Sequence, residues 1–368
     1  MKIAIVGARG IPVNYGGFET CAEQLATRLT RKGHEVTVYC CRPYSKSNEK
    51  TYKGIERIIL PTIRKKSLEK VVFSVLSLLH VSFTRVNVVL MLGVSAAGFC
   101  FIPRIFGKKV AINIDGLEWK RKKWSTLISW VLQSSERLAG ITANVVITDS
   151  KWIRRYYKET YGKGSVYLAY GTETKNHPPG KTLNKFDLSP DEYILYVSRF
   201  DPENNALLVR EAFDDIDSPT KKLVMVGDAP FADDYIRRVK ETKNPNIIFT
   251  GYQFGDSYDE LRSNAYFYIQ ATEIGGTHPA LVEAMGAGNC VLANDVPEHR
   301  EVLRGAGVYY RGKRELTDKI MMLMESESVV KEKGIAALKI AKEEYSWNRV
   351  AEGYEKTFEN LTAKRWLI

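Results

Sequence analysis

Two doubly wound α/β domains are what this sequence predicts, and three observations predict them. The chain has 368 residues, beyond the size at which a single hydrophobic core usually stops growing. Short apolar strands alternate with helical segments twice along it, the pattern of parallel sheets covered on both faces. Between the two series runs Tyr170-Gly-Thr-Glu-Thr-Lys-Asn-His-Pro-Pro-Gly-Lys-Thr-Leu-Asn-Lys185, rich in turn formers and poor in apolar residues, which reads as a linker. The expected boundaries are 1–170 for the first domain, 171–190 for the linker, 191–345 for the second domain and 346–368 for a terminal helix.

In the first series, strands are expected over 2–6, 35–41, 55–60, 88–92, 110–114 and 143–148, with helices near 18–32, 68–83 and 127–139. The first helix shows its apolar face at Cys21, Leu25 and Leu29. In the second series, strands are expected over 193–197, 222–226, 247–250, 267–269 and 290–293. Helices are expected from 205, around 232–242, over 258–263 and around Glu283.

Two glycine loops stand out against this pattern. After the first strand comes Gly7-Ala-Arg-Gly10-Ile-Pro-Val-Asn-Tyr-Gly16-Gly17-Phe-Glu-Thr20. This loop is too long for the Gly-x-Gly-x-x-Gly of dinucleotide oxidoreductases, and strand two ends in Tyr39-Cys-Cys-Arg-Pro43 rather than in an acid that would hold a ribose. A Gly-x-x-x-x-Gly-Lys-Ser/Thr loop is missing too, which argues against phosphoryl transfer. The second loop reads Glu273-Ile-Gly-Gly-Thr-His-Pro-Ala-Leu-Val-Glu-Ala-Met285. Gly275 and Gly276 allow close approach of the backbone to a ligand, Thr277 or His278 can cap a helix, and Pro279 suits its first turn. Free amides and a positive helix end then converge on one point, where phosphate is the usual occupant. Glu283, one turn on, can accept hydrogen bonds from hydroxyl groups. A phosphate-plus-hydroxyl ligand suggests a sugar nucleotide; an ordinary packing turn is the plainer reading of the same segment.

The composition narrows the partners. No stretch approaches the roughly 18 uninterrupted apolar residues of a spanning helix, and no targeting signal opens the sequence, so a cytoplasmic location is expected. The five cysteines, Cys21, Cys40, Cys41, Cys100 and Cys290, lack paired metal-ligand spacing and read as buried free thiols. The formal charge is +11. Between residues 61 and 125 lie Arg64, Lys65, Lys66, Lys70, Arg85, Arg104, Lys108, Lys109, Lys120, Arg121, Lys122 and Lys123, against Glu69, Asp115 and Glu118. Apolar and aromatic residues are interleaved with them, Trp119 and Trp124 included, as on a surface that lies against an anionic bilayer. A merely solvated basic face is the alternative. Nucleic acid is not expected as a partner, because no zinc-finger spacing, RNA-recognition aromatics or helix-turn-helix accompanies the charge.

Three separated motifs carry a resemblance. Gly10-Ile-Pro-Val-Asn-Tyr-Gly-Gly-Phe-Glu19, Asp115-Gly-Leu-Glu-Trp-Lys-Arg-Lys-Lys-Trp-Ser125 and Gly275-Gly-Thr-His-Pro-Ala-Leu-Val-Glu-Ala-Met285, with Arg199 after the strand over 193–197, resemble the retaining GT-B glycosyltransferases related to glycogen synthase and bacterial mannosyltransferases. More narrowly they look like the bacterial rhamnosyltransferase branch. The resemblance spans essentially the whole chain and implies two Rossmann-like domains facing across a cleft, with the terminal helix crossing back to the first. It also implies a donor such as dTDP-rhamnose, an acceptor sugar on undecaprenyl diphosphate at the inner membrane face, and neither a metal nor another cofactor.

The expected site follows residue by residue. Arg199 should meet the departing diphosphate bidentately, helped by the amides of Gly16, Gly17, Gly276, Thr277 and His278, because fixed donors stabilise developing charge in a dry site. His278 could also donate to the diphosphate or to a sugar hydroxyl. In the family a lysine follows the arginine by five residues; here that position is Asn204, so one positive charge is missing. Glu283 matches the glutamate that holds the ribose. Nine residues separate it from Glu273, two more than in the family's pair, so Glu273 takes the first glutamate's place beside the donor sugar only with a bulged loop. Asp115 and Glu118 are candidates to orient the acceptor hydroxyl. Asp215-Ile-Asp217 spells a manganese-binding tripeptide of the other glycosyltransferase architecture, but its setting reads as a solvated turn. Within the class, a hexosyltransferase using a UDP-sugar is the nearest alternative. Outside it stand a sugar-nucleotide epimerase and a non-catalytic assembly protein.

Overall fold

The computed structural model describes residues 1–45, 47–65, 68–121, 124–229 and 233–363. It divides into two compact units, Met1–Tyr170 with Trp347–Ile368, and Gly171–Ser346. Of the basic residues singled out above, Lys66, Lys122 and Lys123 lie outside the described residues.

The first unit follows the order β1 (Lys2–Val6), α1 (Gly17–Arg31), β2 (Glu35–Cys41), β3 (Thr51–Tyr52), β4 (Ile55–Leu60), α2 (Glu69–Ser82), β5 (Val88–Leu92), α3 (Phe101–Ile105), β6 (Lys109–Ile114), α4 (Thr126–Thr142), β7 (Val145–Thr148), α5 (Lys151–Tyr161) and β8 (Val166–Tyr167). Its sheet has the order β3-β4-β2-β1-β5-β6-β7-β8, parallel except where β3 meets β4. The chain starts at β1, builds outward through β2 and β4, then returns to the other side of β1 at β5. That reversal makes β1/β5 the topological switch point, and in open α/β sheets ligands bind outside the carboxyl ends of the strands there.

The second unit contains α6 (Lys181–Lys185), β9 (Tyr193–Val197), α7 (Ala206–Asp214), β10 (Lys222–Val226), α8 (Asp233–Lys240), β11 (Ile247–Gly251), α9 (Asp256–Ser263), β12 (Phe267–Gln270), α10 (Pro279–Gly286), β13 (Val291–Asn294), α11 (Pro297–Leu303), β14 (Gly307–Tyr310), α12 (Gly312–Glu325) and α13 (Glu327–Glu344). All six strands are parallel in the order β11-β10-β9-β12-β13-β14, so the switch point falls at β9/β12. The stretch after Tyr170 packs on this unit rather than hanging free. Glu260 of α9 accepts hydrogen bonds from the amides of Gly180 (2.8 Å), Thr182 (3.2 Å) and Leu183 (2.8 Å).

A last helix, α14 (Trp347–Thr362), belongs to the first unit. Glu355 on it meets Lys32 at 2.5 Å and His34 at 2.8 Å, just past α1. Asn113 at the end of β6 donates to the Tyr354 hydroxyl at 2.9 Å.

The central strands β1, β5, β9 and β12 are buried on both faces, which is why they read as continuous apolar runs without alternation. Helix α5 escaped the sequence reading because Lys151-Trp-Ile-Arg-Arg-Tyr-Tyr-Lys buries only Ile153 and Tyr157. Its start is marked by Ser150, whose Oγ accepts from the Ile153 amide at 3.0 Å, and its end by Gly162 at φ +65°. All five cysteines are free and buried. Among the described residues no helix is long and apolar enough to cross a membrane.

Candidate functional site

The loops that leave β9 and β12 flank the switch point of the second unit, and they are stitched together. Glu273 donates its amide to the Glu203 carbonyl at 3.0 Å. Asn205, in a left-handed conformation at φ +60°, reaches across with its side-chain amide to the Ala271 carbonyl (2.9 Å) and to Glu273 Oε1 (3.1 Å). Asn204 is buried, donates to the Arg199 carbonyl at 2.7 Å, and accepts the Tyr196 hydroxyl on its own carbonyl at 2.7 Å. Its side-chain N–H is therefore spent on holding the Arg199 turn. Arg199 lies in that turn with Nη2 3.6 Å from Asp201 Oδ2. A third loop presses from the β10 side: a Cβ on Gly227, at φ +144°, would stand 1.8 Å from the Ser198 carbonyl oxygen. Only glycine fits there.

The second glycine loop enters α10 as its residue types require. Pro279 takes the first turn and His278 the N-cap position, without a side-chain capping bond. Gly275 packs under the His278 imidazole so closely that a Cβ would fall 2.3 Å from His278 Cε1. Behind it, the ring of buried His299 lies 5.3 Å from that of His278 and uses Nδ1 on the Asn294 carbonyl at 2.8 Å. Burial lowers His299 to about 4, so it stays neutral and adds no charge behind the loop. Thr277 is buried. Glu283 accepts the Tyr258 hydroxyl on Oε2 at 2.9 Å, and its backbone carbonyl takes Arg262 Nη1 at 3.0 Å. Burial pushes its carboxyl up against the pull of Arg262. Its Oε1 makes no hydrogen bond among the described residues, so it can accept one from a hydroxyl group. This end of the sheet thus presents an arginine, a glycine-lined helix start and two carboxylates on interlocked loops.

In the first unit the loop after β1 is locked by Arg9. Its guanidinium lies 3.8 Å from the Tyr15 ring centre and 4.8 Å from that of Tyr44, and reaches Glu69 at 3.0 Å. The Arg9 amide donates to Glu19 Oε1 at 2.7 Å. The loop then delivers Gly16 and Gly17 to the start of α1, which carries no side-chain cap. After β6, Asp115 accepts the Tyr170 hydroxyl at 2.9 Å, and burial raises its carboxyl. Glu118 takes Arg121 at 2.7 Å and the Trp124 indole at 3.2 Å. Each unit therefore gathers its own candidates at the carboxyl end of its own sheet: Gly16, Gly17, Asp115 and Glu118 in the first, Arg199, Asn204, Glu273, Gly275, Gly276, Thr277, His278 and Glu283 in the second. Sequence reasoning missed the partners that hold them. Tyr170 was linker, Tyr258 plain helix and Asn205 a helix start, and no local pattern marks a hydroxyl that finds its carboxylate 25 or 55 residues away.

Comparison with known proteins adds to this geometry. Residues 191–326 match the family described as glycosyl transferases group 1. The chain carries a glycosyl transferase domain on a GT-B fold. Residues 1–173 match a second family, a domain of unknown function (DUF1972). Over its full length the chain is similar to the sucrose-phosphate synthase of Thermosynechococcus elongatus, at 18% identity and a TM-score of 0.80 with 99% of each chain covered. It is also similar to Anabaena HepE in complex with UDP and glucose, at 15% identity and 0.77, covering 98% of this chain and 99% of HepE. A glycosyltransferase from Rickettsia africae aligns at 17% identity and 0.75, with 98% of both chains covered. No curated protein matches in sequence.

Proposed function

We propose that the chain transfers a sugar from a nucleotide-sugar donor, with retention at the anomeric carbon, and that the donor is dTDP-rhamnose. The observation that carries this reading is the loop of Arg199 bonded through Glu203 and Asn205 to Glu273, whose own loop leads into α10 and Glu283, at the β9/β12 switch point of a group 1 glycosyl transferase domain. Arg199 and the amides leading into α10 meet the diphosphate, and Glu283 takes a ribose hydroxyl on its open oxygen. Glu273 lies beside the donor sugar. The bond from the anomeric carbon to the phosphate oxygen breaks as the acceptor oxygen bonds on the same face, and the acceptor's proton passes to the departing phosphate. No metal or further cofactor enters this scheme; fixed donors carry the leaving charge. Asp115 and Glu118 orient the acceptor hydroxyl.

The acceptor in this reading is a saccharide on undecaprenyl diphosphate, met at the inner face of the cell membrane in the synthesis of a capsular or cell-wall polysaccharide. The outer surface of α2, α3 and α4 supports it. Phe83, Ile105, Phe106, Leu127, Trp130 and Ile141 are exposed there, with Arg85, Arg104 and Arg137 exposed among them. All four carboxylates between residues 61 and 142, Glu69, Asp115, Glu118 and Glu136, are buried or half-buried. An apolar surface with a basic rim and no exposed acid suits an anionic bilayer.

A UDP-sugar is the second reading for the donor, favoured by the likeness to HepE, which was crystallised with UDP and with UDP-glucose. A thermal-shift series with dTDP, UDP, GDP and their sugars, with and without magnesium, separates the two, since a ligand that binds only the folded state raises the melting temperature. A magnesium-independent shift with dTDP and dTDP-rhamnose, lost in Arg199→Ala, supports the first reading. A preference for UDP moves the donor to a hexose, and no shift with any nucleotide overturns both. Retention is read from the anomeric configuration of the product by NMR, and the membrane contact from sedimentation with anionic against neutral vesicles.

A further inference from the structure

We propose that His299 is a positioning residue that fixes the tautomer of His278, and so makes His278 a hydrogen-bond acceptor for a hydroxyl group of the donor sugar rather than a donor to the diphosphate. The inference rests on the sugar-transfer reading above and sharpens the role of one residue of that site, all within the second unit.

Asn294 ends β13, next to β12 in the sheet, and its side-chain amide holds the Thr272 carbonyl, just before Glu273, at 3.4 Å. Its own carbonyl meets Nδ1 of His299 at 2.8 Å. A carbonyl can only accept, so Nδ1 carries the proton of the neutral ring. Burial keeps that ring neutral, lowering it to about 4, and Nε2 is left as a lone-pair acceptor. His299 is fully buried, and its Nε2 makes no hydrogen bond among the described residues. Buried polar atoms are almost all bonded in folded proteins, so an open acceptor at this depth requires a donor.

The ring of His278 stands 5.3 Å away, centre to centre, with the two planes at 59°. Two imidazoles joined by an N–H···N bond of ordinary length have their centres about 5 Å apart, so the separation already suits that bond and a turn of the His278 ring supplies the alignment. Gly275 lies against the Cε1 edge of His278: a Cβ there would stand 2.3 Å from Cε1, 2.8 Å from Nε2 and 3.1 Å from Nδ1. The two nitrogens therefore flank that contact, and one can donate to His299 while the other is turned away from it. With its proton committed to His299, the neutral His278 ring presents a lone pair on the second nitrogen, which repels phosphate oxygen and accepts from a hydroxyl group. Glu283 serves the ribose in the sugar-transfer reading, which leaves the donor sugar as the source of that hydroxyl.

Long-range proton–nitrogen NMR of the full chain, labelled on its five histidines, tests the tautomers at about pH 7.5. His299 should be protonated on Nδ1 alone and His278 should be a single tautomer, whereas in His299→Leu the His278 ring should exchange between both. Calorimetric titration with dTDP, dTDP-rhamnose, UDP and UDP-glucose tests the consequence. His299→Leu should weaken the nucleotide sugar that wild type binds by roughly three- to tenfold, the size of one hydrogen bond, and leave the free nucleotide unchanged. His299→Gln, whose amide oxygen reaches the place of Nε2, should recover most of that loss. The wild-type spectra carry the test even where the leucine variant folds poorly: His299 protonated on Nε2, or His278 in both tautomers with the nucleotide sugar bound, overturns the proposal. Weakening of sugar and free nucleotide alike, or of neither, overturns it too and leaves the sugar-transfer reading standing. If wild type binds no nucleotide, that reading falls, and the role of His278 with it.

Discussion

The carboxyl ends of the two sheets share a reversal of strand order and hold their cations in different ways. At β9/β12 the loops are bonded to one another: Asn204 to Arg199, Asn205 to Glu273, Tyr258 to Glu283. At β1/β5 Arg9 ties the loop after β1 to Glu19 of α1 and Glu69 of α2, while Lys70 makes no hydrogen bond among the described residues and is lowered by burial to about 8; Asp115, like Glu283, is raised by burial and held by one tyrosine hydroxyl. A network of satisfied bonds is rigid and costly to perturb, whereas half-buried groups with shifted titration are poised for a ligand that changes their charge balance. The second unit thus fits a fixed donor seat. The first fits a site completed by what binds it.

The largest effect should come from the donor seat. On the proposed reading Arg199 meets the leaving diphosphate, and Arg199→Ala should lower kcat by about 10²–10³, the loss that follows removal of one fixed donor to developing charge. Single-turnover transfer rates check it. Asp115→Asn, by contrast, should act mainly on the KM for the acceptor. If Arg199→Ala leaves the rate intact while Asp115→Asn abolishes it, the chemistry belongs to the first unit and the comparison is inverted.

Next comes the rigidity of the β9/β12 end. Gly227→Ala places a methyl 1.8 Å from the Ser198 carbonyl oxygen at a φ of +144°, so the turn carrying Arg199 must move. The cost should be on the order of 3 kcal/mol, at the upper end of ordinary single substitutions. Denaturant unfolding should show it. Gly305→Ala is the control, since nothing lies within 4 Å of its Cβ position.

The first unit offers a smaller, pH-dependent test at Glu136, fully buried on α4 and bonded to the Tyr161 hydroxyl at 3.0 Å. Burial raises its carboxyl from the ordinary 4.5 to about 7. Between those values the folded chain holds a proton that the unfolded chain has released, so stability falls as the pH rises through that window. Glu136→Gln removes the dependence. Its gain over wild type should be small at pH 5 and on the order of 1–3 kcal/mol at pH 8, read from melting temperatures across that range. A gain that does not vary with pH would mean the carboxyl titrates normally.

Much of this contrast was legible in the sequence, and unevenly so. The doubly wound fold followed from apolar runs such as Ile3-Ala-Ile-Val6 and Val89-Leu-Met-Leu92, because strands buried on both faces need no alternation. Glycine loops and Pro279 marked the start of α10 through local conformational demands. Lys70 appeared only as one of a dozen basic residues, since its position is set by Phe18 and Gly93, which reach it through the sheet rather than along the chain. The segment after Tyr170 read as a linker for a similar reason: Glu260, which caps it, lies about 80 residues on.

The smallest effect sets charge against hydrogen bonding. Asn204→Lys restores the residue that the family resemblance expects, and a charge-only view makes it a gain for the donor seat. The structure argues otherwise. Asn204 is 5% exposed and its amide holds the Arg199 carbonyl at 2.7 Å; a lysine cannot reproduce that bond from within the turn, and its ammonium must turn outward to avoid burial. The variant should lose about 1 kcal/mol of stability, the net worth of one hydrogen bond, and transfer sugar no faster than wild type.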